Sequence, residues 1–499
     1  MLRASDYVIY VDLPDNAEDV LLVHGYTGAY DRVSRRVANY LHSLEPRFSP
    51  THTAGDQKAG LPTNQDVTSP SAETIQILKR RGYLTEKTAV EEAALFEKIV
   101  ETIHDAATRQ MPAYIFMPSY DCNLRCPYCY QDHMRTDPAF KHLLETTMQP
   151  ELVDRLFAAM PKLEAHHHLP EDSQPFLNIG FYGGEPLLEK NRSIVEYIFK
   201  KALDRGQTNF SAVTNGTELH AYRDMLGPDK ISSLQITLDG PPHEHDKRRI
   251  YVDDSPSFER IARNIDMALS LNVHLHIRMN IDRDNIHQLP ELADEIIARG
   301  WDQEEKFSAY TSPISAANEK TAVKTTMSSH QLDKALTEMR EQYPSLAVIS
   351  RPDDNLEDRI WHIFDKQANP SFKASFCAAH NTMYVVDPFG DLYACWERTG
   401  DPNIRIGYIT ADGDVVLNVE QEKTWRSRNV TSNPACRQCR YALYCGGGCA
   451  ARALNRYDEL FTSYCDGFAA RFRDSTASAY FRFIAGEKQV PKPAQVCES

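Results

Sequence analysis

The sequence predicts an α/β protein centred on a partial (β/α)6, TIM-like barrel, with a small α+β domain before it and a cysteine-dense domain after it. Three observations predict this. Between Ala113 and Ile314, strand-like apolar runs alternate six times with helix-like stretches, and repeated β-then-α units imply a parallel sheet. Upstream, the pattern is two short strands followed by helices. Downstream of residue 373 the chain turns short in its elements, rich in turns and dense in cysteine.

The boundaries follow from these shifts. A chain of 499 residues exceeds one ordinary core. The expected division is an N-terminal module over 1–105, the barrel over 106–314, a connector over 315–373, the cysteine-rich domain over 374–470, and a C-terminal helix and flexible tail over 471–499. Formal net charge is −15, from 55 basic and 70 acidic residues, which argues against a general nucleic-acid or anionic-membrane surface. No apolar run approaches the roughly 20 residues that span a bilayer. The start, M-L-R-A-S-D-Y-V-I-Y-V-D, is too short in apolar length and too soon acidic for a signal peptide, so a cytoplasmic location is expected. In that reducing compartment clustered thiols read as metal ligands rather than disulfides.

In the N-terminal module, Y-V-I-Y-V-D and V-L-L-V-H-G read as strands, with Gly25 and Gly28 as turn signals. Val33–Leu44 and Ala72–Arg81 carry helical spacing, and Thr51–Ser71 is a polar loop between them. The order is compatible with a winged-helix-type module, and Ala89–Arg109 leads helically into the barrel. The barrel strands are expected over Ala113–Pro118, Phe176–Tyr182, Phe210–Thr214, Leu234–Leu238, His274–Asn280 and Lys306–Tyr310. Helices are expected over Gln149–Leu163, Ser193–Leu203, Phe258–Leu271 and Leu289–Arg299. Barrel sites gather at the C-terminal ends of strands. Cys122, Gly183, Asn215, Asp239 and Asp282 all fall just after predicted strands.

The loop after the first barrel strand reads D-C-N-L-R-C-P-Y-C-Y-Q and offers Cys122, Cys126 and Cys129. Zinc normally takes four closed ligands for structure, or three plus water for catalysis. A [4Fe–4S] cube on three cysteines leaves one iron open. The triplet alone admits both readings.

With its surroundings the triplet resembles the radical SAM superfamily. The resemblance rests on C-N-L-R-C-P-Y-C, with aromatic Tyr128 before the third cysteine. It extends to F-Y-G-G-E-P after the second strand, T-N-G-T after the third and I-T-L-D-G after the fourth. It implies a cube whose open iron chelates S-adenosyl-L-methionine, and reductive cleavage to a 5′-deoxyadenosyl radical that takes a substrate hydrogen. Gly183 and Gly184 suit backbone approach to the methionyl amine, since glycine lets backbone come close to a ligand. Glu185 adds charge complementarity. Thr237 and Asp239 offer a hydroxyl and a carboxylate to the carboxylate or ribose region, or, for Asp239, to its own turn. Arg278 and Asn280, on one strand face, reach the cofactor carboxylate or form an ordinary ion pair. Asp246 and Arg249 follow the pattern H-D-x-x-R as loop structure.

The second cysteine group resembles the SPASM extension of that superfamily. Cys377, Gly390 and Cys395 are followed by C-R-Q-C-R-Y-A-L-Y-C-G-G-G-C and then Cys465. The resemblance implies two auxiliary [4Fe–4S] clusters and so three in all. One would be held by Cys436, Cys439, Cys445 and Cys465, the other by Cys377, Cys395 and Cys449. A fourth ligand for the second is missing, so its iron is open to substrate or solvent, or takes His380 or Cys497. His166–His168 reads as a solvated polar loop. Tyr310 faces substrate or packs in the core.

SPASM proteins mostly modify peptides, so the expected activity is a cross-link, thioether or C–C bond installed in a ribosomally made precursor peptide, with flavodoxin or ferredoxin as electron donor. The N-terminal module weakly resembles the PqqD-like leader-peptide recognition element, or is a structural cap. Competing readings are a sulfatase-maturase-like formylglycine former, a small-molecule radical dehydrogenase, and a non-catalytic iron–sulfur electron-transfer scaffold. Sulfatase maturases resemble C-D at the second SPASM cysteine, and this chain has Trp396 in place of that aspartate, followed by Glu397, which counts against the first.

Overall fold

The computed structural model describes residues 2–14, 16–45, 68–169, 176–318 and 320–486. Expectations that fall on 51–67, on the tail beyond residue 486 and on Cys497 lie outside them. The chain divides into two compact units. One comprises the described residues within 1–106, 353–377 and 428–486, the other those within 107–352 and 378–427.

In the first unit, strands β2 (Val8–Leu13), β3 (Asn16–His24) and β4 (Tyr30–Ser34) form an antiparallel sheet in that order, and β1 (Arg3–Ala4) pairs with β5 (Leu84–Thr85). The helix expected from Val33 begins at Arg35, because Tyr30–Ser34 is spent as a strand with Val33 opposite Val20. The helix Ala72–Arg81 lies where its spacing put it, capped by Ser71, whose hydroxyl accepts from Thr74 N–H, and ended by Gly82 at φ 94°. Residues 1–105 do not stand apart here. Alternation along β2 sends Val8 to a core with Leu22, Leu41 and Leu78, and sends Ile9, Val11 and Leu13 to the opposite face. That opposite face packs with Leu356, Ile360 and Trp361 of the helix Asp354–Lys366 and with Phe472 and Tyr480 of the helix Phe468–Ile484. Burying such side chains stabilises by roughly 1.5–3 kcal/mol each.

The second unit holds a ten-stranded sheet. Strands β6 (Ala113–Phe116), β7 (Phe176–Phe181), β8 (Gln207–Thr214), β9 (Ile231–Thr237), β10 (His274–Ile281) and β11 (Phe307–Pro313) run parallel in chain order. This is the predicted (β/α)6 order. Along β10, Leu275, Ile277, Met279 and Ile281 are fully buried, while Arg278 and Asn280 share the alternate, polar face. Beyond β6 the sheet continues with β12 (Met383–Val386), parallel to β6, and then antiparallel β13 (Asp391–Tyr393), β14 (Gly407–Ile409) and β15 (Val415–Leu417). The stretch 374–470 is therefore divided: 378–427 extends the barrel sheet, and 428–470 belongs to the first unit.

The solvated-loop expectation for His166–His168 is corrected at His167, while His166 and His168 are exposed. His166 closes the helix Pro150–His166 and pairs with Glu422 at 3.2 Å. His167 is buried, bonded through Nδ1 to the Thr108 carbonyl and through Nε2 to the Tyr384 hydroxyl. Burial pushes its pKa down to about 4, so the ring is neutral.

Candidate active site

The three-cysteine loop lies just past the C-terminal end of β6 and is stitched down on several sides. Arg125 N–H donates to the Ile250 carbonyl, and Leu124 bridges Tyr251. Asn318 donates through Nδ2 to the carbonyls of Pro127 and Cys129, at 2.9 and 2.8 Å. Donors also reach the sulfurs. Leu124 N–H lies 3.4 Å and Asn215 Nδ2 3.8 Å from Cys122 Sγ, and Arg135 Nη1 lies 3.9 Å from Cys129 Sγ. Burial pushes the Cys126 thiol up to about 12, with Arg249 opposing and the other two thiols adding to the rise. Burial likewise raises Cys122, with Arg135 opposing. Three thiols so placed become thiolates when a cation binds them, and a bound metal's charge supplies that drive.

The G-G-E-P loop runs alongside residues 119–121. Gly184 N–H donates to the Ser119 carbonyl and Glu185 N–H to that of Asp121, extending the β6–β7 ladder. A Cβ on Gly184 would land on the carbonyl oxygens of Tyr120 and Asp121. One on Gly183, at φ 146°, would lie 2.7 Å from that of Ser119. Glycine is required at both by the neighbouring backbone. Glu185 takes a different part from the one expected of it. Its carboxylate is buried and accepts from Thr214 Oγ1, Asn215 N–H and Leu187 N–H, at 2.5, 2.5 and 2.9 Å. Burial pushes its pKa up to about 7 against those bonds. It binds the T-N-G loop to the G-G-E-P loop, and Asn215 passes that connection on to Asn123 and Cys122.

A second network joins the cysteine loop to the ends of β9 and β10. The Tyr128 hydroxyl donates to Asp239 and receives from Arg249 Nη1 at 2.8 Å. Asp239 is fully buried and also accepts the Asn280 N–H. Arg249, expected as loop structure, thus reaches the cysteine loop. Asp246 keeps that role, capping the helix Phe258–Ser270 through the N–H groups of Ser257 and Phe258. Thr237 stands opposite Arg278 in the sheet, and Arg278 donates to Asn280 Oδ1 and Ser312 Oγ at 3.0 Å each. Tyr310 donates to Gln235 Oε1 at 2.7 Å. Sequence reasoning missed Arg135 and Asn318. Arg135 had a signal, as a cation six residues past the third cysteine; Asn318, some 190 residues away, had none.

In the first unit, Cys436, Cys439, Cys445 and Cys465 act on one another electrostatically, and burial pushes the Cys436 and Cys439 thiols up to about 12. Cys377 and Cys449 belong to this unit and Cys395, just past β13, to the other. His380 is buried in the second unit, donating through Nδ1 to the Trp425 carbonyl and stacked on that indole. Among the described residues no three His, Cys, Asp or Glu side chains stand close enough to hold one metal ion. A cluster makes no such demand, because each thiolate takes a different iron. Mutually opposed, half-buried thiols beside Arg135 and Arg249 suit an electron-rich iron–sulfur group.

The parallel sheet, the three-thiol loop at its C-terminal edge and the glycine loop beside it define a radical SAM domain. Residues 116–296 match the family model of the Radical SAM superfamily. A cysteine-type anaerobic sulfatase-maturating enzyme of Clostridium novyi is 20% identical over 370 residues, 71% of this chain and 92% of its own. Mycofactocin maturase MftC of Mycolicibacterium smegmatis is 24% identical over 342 residues, 67% of this chain and 76% of its own. The solved structure of native anSMEcpe with bound AdoMet and Kp18Cys peptide is alike in fold, with 16% identity and a TM-score of 0.52. That likeness covers 75% of this chain and 99% of that one. No helix among the described residues is long and apolar enough to cross a membrane.

Proposed function

We propose that this chain binds S-adenosyl-L-methionine and a [4Fe–4S] cluster at the Cys122–Cys129 loop, and installs a cross-link, thioether or C–C bond in a ribosomally made precursor peptide. The carrying observation is the convergence on that loop of Gly183–Gly184 backbone, Asn215 and the Tyr128–Asp239–Arg249 network. Bound there, the two groups supply a 5′-deoxyadenosyl radical when an electron arrives from a donor such as flavodoxin or ferredoxin. The chain's own residues do the rest. Cys122, Cys126 and Cys129 hold the cube, and Gly183 and Gly184 let the methionyl group approach backbone. Arg278 and Thr237 offer donors on the inner face of the sheet. Two auxiliary clusters, on the cysteines between 377 and 465, would accept the electron released by the substrate or hold its sulfur.

Peptide substrates are favoured by the kind of relative found, since both named relatives are maturases. Formylglycine formation is disfavoured by Trp396. That indole, directly after Cys395, packs on Tyr182 with ring centroids 5.3 Å apart, where the maturase pattern has an aspartate. The three-stranded sheet of the first unit would receive a leader peptide at an edge strand. The test is anaerobic incubation of the reconstituted protein with S-adenosyl-L-methionine, dithionite and the short peptide encoded beside its gene. Loss of two hydrogens from the peptide, located by tandem mass spectrometry to a new bond between two residues with no aldehyde formed, is expected. Conversion of a cysteine or serine to formylglycine would replace this reading with the sulfatase-maturase one.

A further inference from the structure

Arg428 is among the largest fully buried side chains of the protein, at 2% exposure. Its guanidinium donates only to backbone carbonyls: Leu460 at 2.7 Å, Gly448 at 3.1 Å, Thr462 at 3.1 Å and Gly447 at 3.4 Å. Those carbonyls lie in two segments. Gly447 and Gly448 lie between Cys445 and Cys449, and Leu460 and Thr462 lead into Cys465. The segments approach so closely that a Cβ on Gly448, at φ 76°, would land on the Tyr464 carbonyl oxygen.

A buried cation is costly without an anionic partner. Neutral carbonyls solvate Arg428 without neutralising it, and among the described residues it forms no ion pair with a carboxylate. The charges that act on it are sulfurs. Burial lowers its pKa, and Cys436, Cys449, Cys377 and Cys445 oppose that fall, in this order. A guanidinium placed among four cysteines has a partner once those sulfurs are thiolates on iron.

We infer that Arg428 is a counter-charge of the auxiliary iron–sulfur centre that includes Cys436 and Cys445. It is a positioning residue that fastens the Gly447–Gly448 and Leu460–Thr462 segments and raises the centre's reduction potential. A cluster on cysteine thiolates is anionic and gains a further negative charge on reduction, so a fixed cation nearby favours the reduced state. The inference rests on the proposed reading of these cysteines as cluster ligands.

The test uses the full chain carrying Cys122→Ala, Cys126→Ala and Cys129→Ala, which removes the barrel centre and leaves the auxiliary ones. Iron content and an EPR-monitored redox titration are read for this parent and for its Arg428→Gln and Arg428→Lys forms. A more negative midpoint for Arg428→Gln, with Arg428→Lys near the parent, is expected. Iron retained by Arg428→Lys but lost from Arg428→Gln supports the same conclusion. An unshifted midpoint in Arg428→Gln would overturn the inference, as would iron loss or an equal shift in Arg428→Lys. A parent without iron would instead overturn the cluster reading itself.

Discussion

The phenol of Tyr128 donates to the buried carboxylate of Asp239, and so ties the cysteine loop after β6 to the strand ends of β9 and β10. The tie closes because Asp239 has a second bond, to the Asn280 N–H, and Tyr128 has a second partner in Arg249. The aromatic residue before the third cysteine is thus a clamp on the loop that would carry the iron.

Removing that hydroxyl tests the clamp. Tyr128→Phe leaves a buried carboxylate and guanidinium each short of a partner, at a cost of about 1–3 kcal/mol. Urea denaturation followed by circular dichroism measures it, and S-adenosyl-L-methionine cleavage should fall alongside. Stability equal to the parent would show that the phenol is not needed there.

Gly184→Ala puts a methyl onto the carbonyls of Tyr120 and Asp121, in backbone that cannot yield without moving Cys122. The barrel centre should fail to assemble, leaving about eight of the about twelve irons that three cubes would hold. Gly300→Ala is the contrast, since its Cβ would meet nothing within 4 Å despite φ 72°. That variant should cost only about 1 kcal/mol and keep its iron. Full iron content in Gly184→Ala would contradict the packing argument.

Acid should weaken the first unit through His24. Its Nδ1 accepts from the N–H groups of Tyr26 and Thr27, and its Nε2 meets Ser5 Oγ at 3.1 Å. Burial lowers its pKa from 6.5 to about 4, against the pull of Glu92. The unfolded chain therefore binds a proton that the folded chain refuses. The stabilisation is complete above about pH 6.5 and is lost as pH falls towards 4, by at most about 3 kcal/mol. Denaturation midpoints between pH 7.5 and 4.5 measure this, and His24→Gln should flatten the slope. An equal slope in that variant would assign the pH dependence elsewhere.

Much of the barrel was legible because its signal is local. Apolar runs alternating with helical stretches marked all six strands, and the motif residues fell at their C-terminal ends. Strand starts were less legible: β8 begins three residues before Phe210, where Gln207, Thr208 and Asn209 are polar but still pair with Phe176–Asn178. Strand β4 escaped because its Tyr-Asp-Arg-Val-Ser run lacks apolar alternation and is held by pairing with β3. The division of 374–470 between two units was hidden as well, since it depends on β12 pairing with β6, some 270 residues earlier. At the site, ligand-type residues could be read from spacing. Of the second partners, Arg135 carried a spacing signal, while Asn318 and Arg428 carried none, because a partner remote in sequence is identified by what surrounds it.

The most direct measurement of the central claim is anaerobic turnover of the fully iron-loaded protein with S-adenosyl-L-methionine and dithionite, read as 5′-deoxyadenosine by chromatography. The account predicts 5′-deoxyadenosine from the parent chain and none from Cys122→Ala, Cys126→Ala or Cys129→Ala. A fully loaded parent that forms none, or an equal yield from the alanine variants, would contradict it.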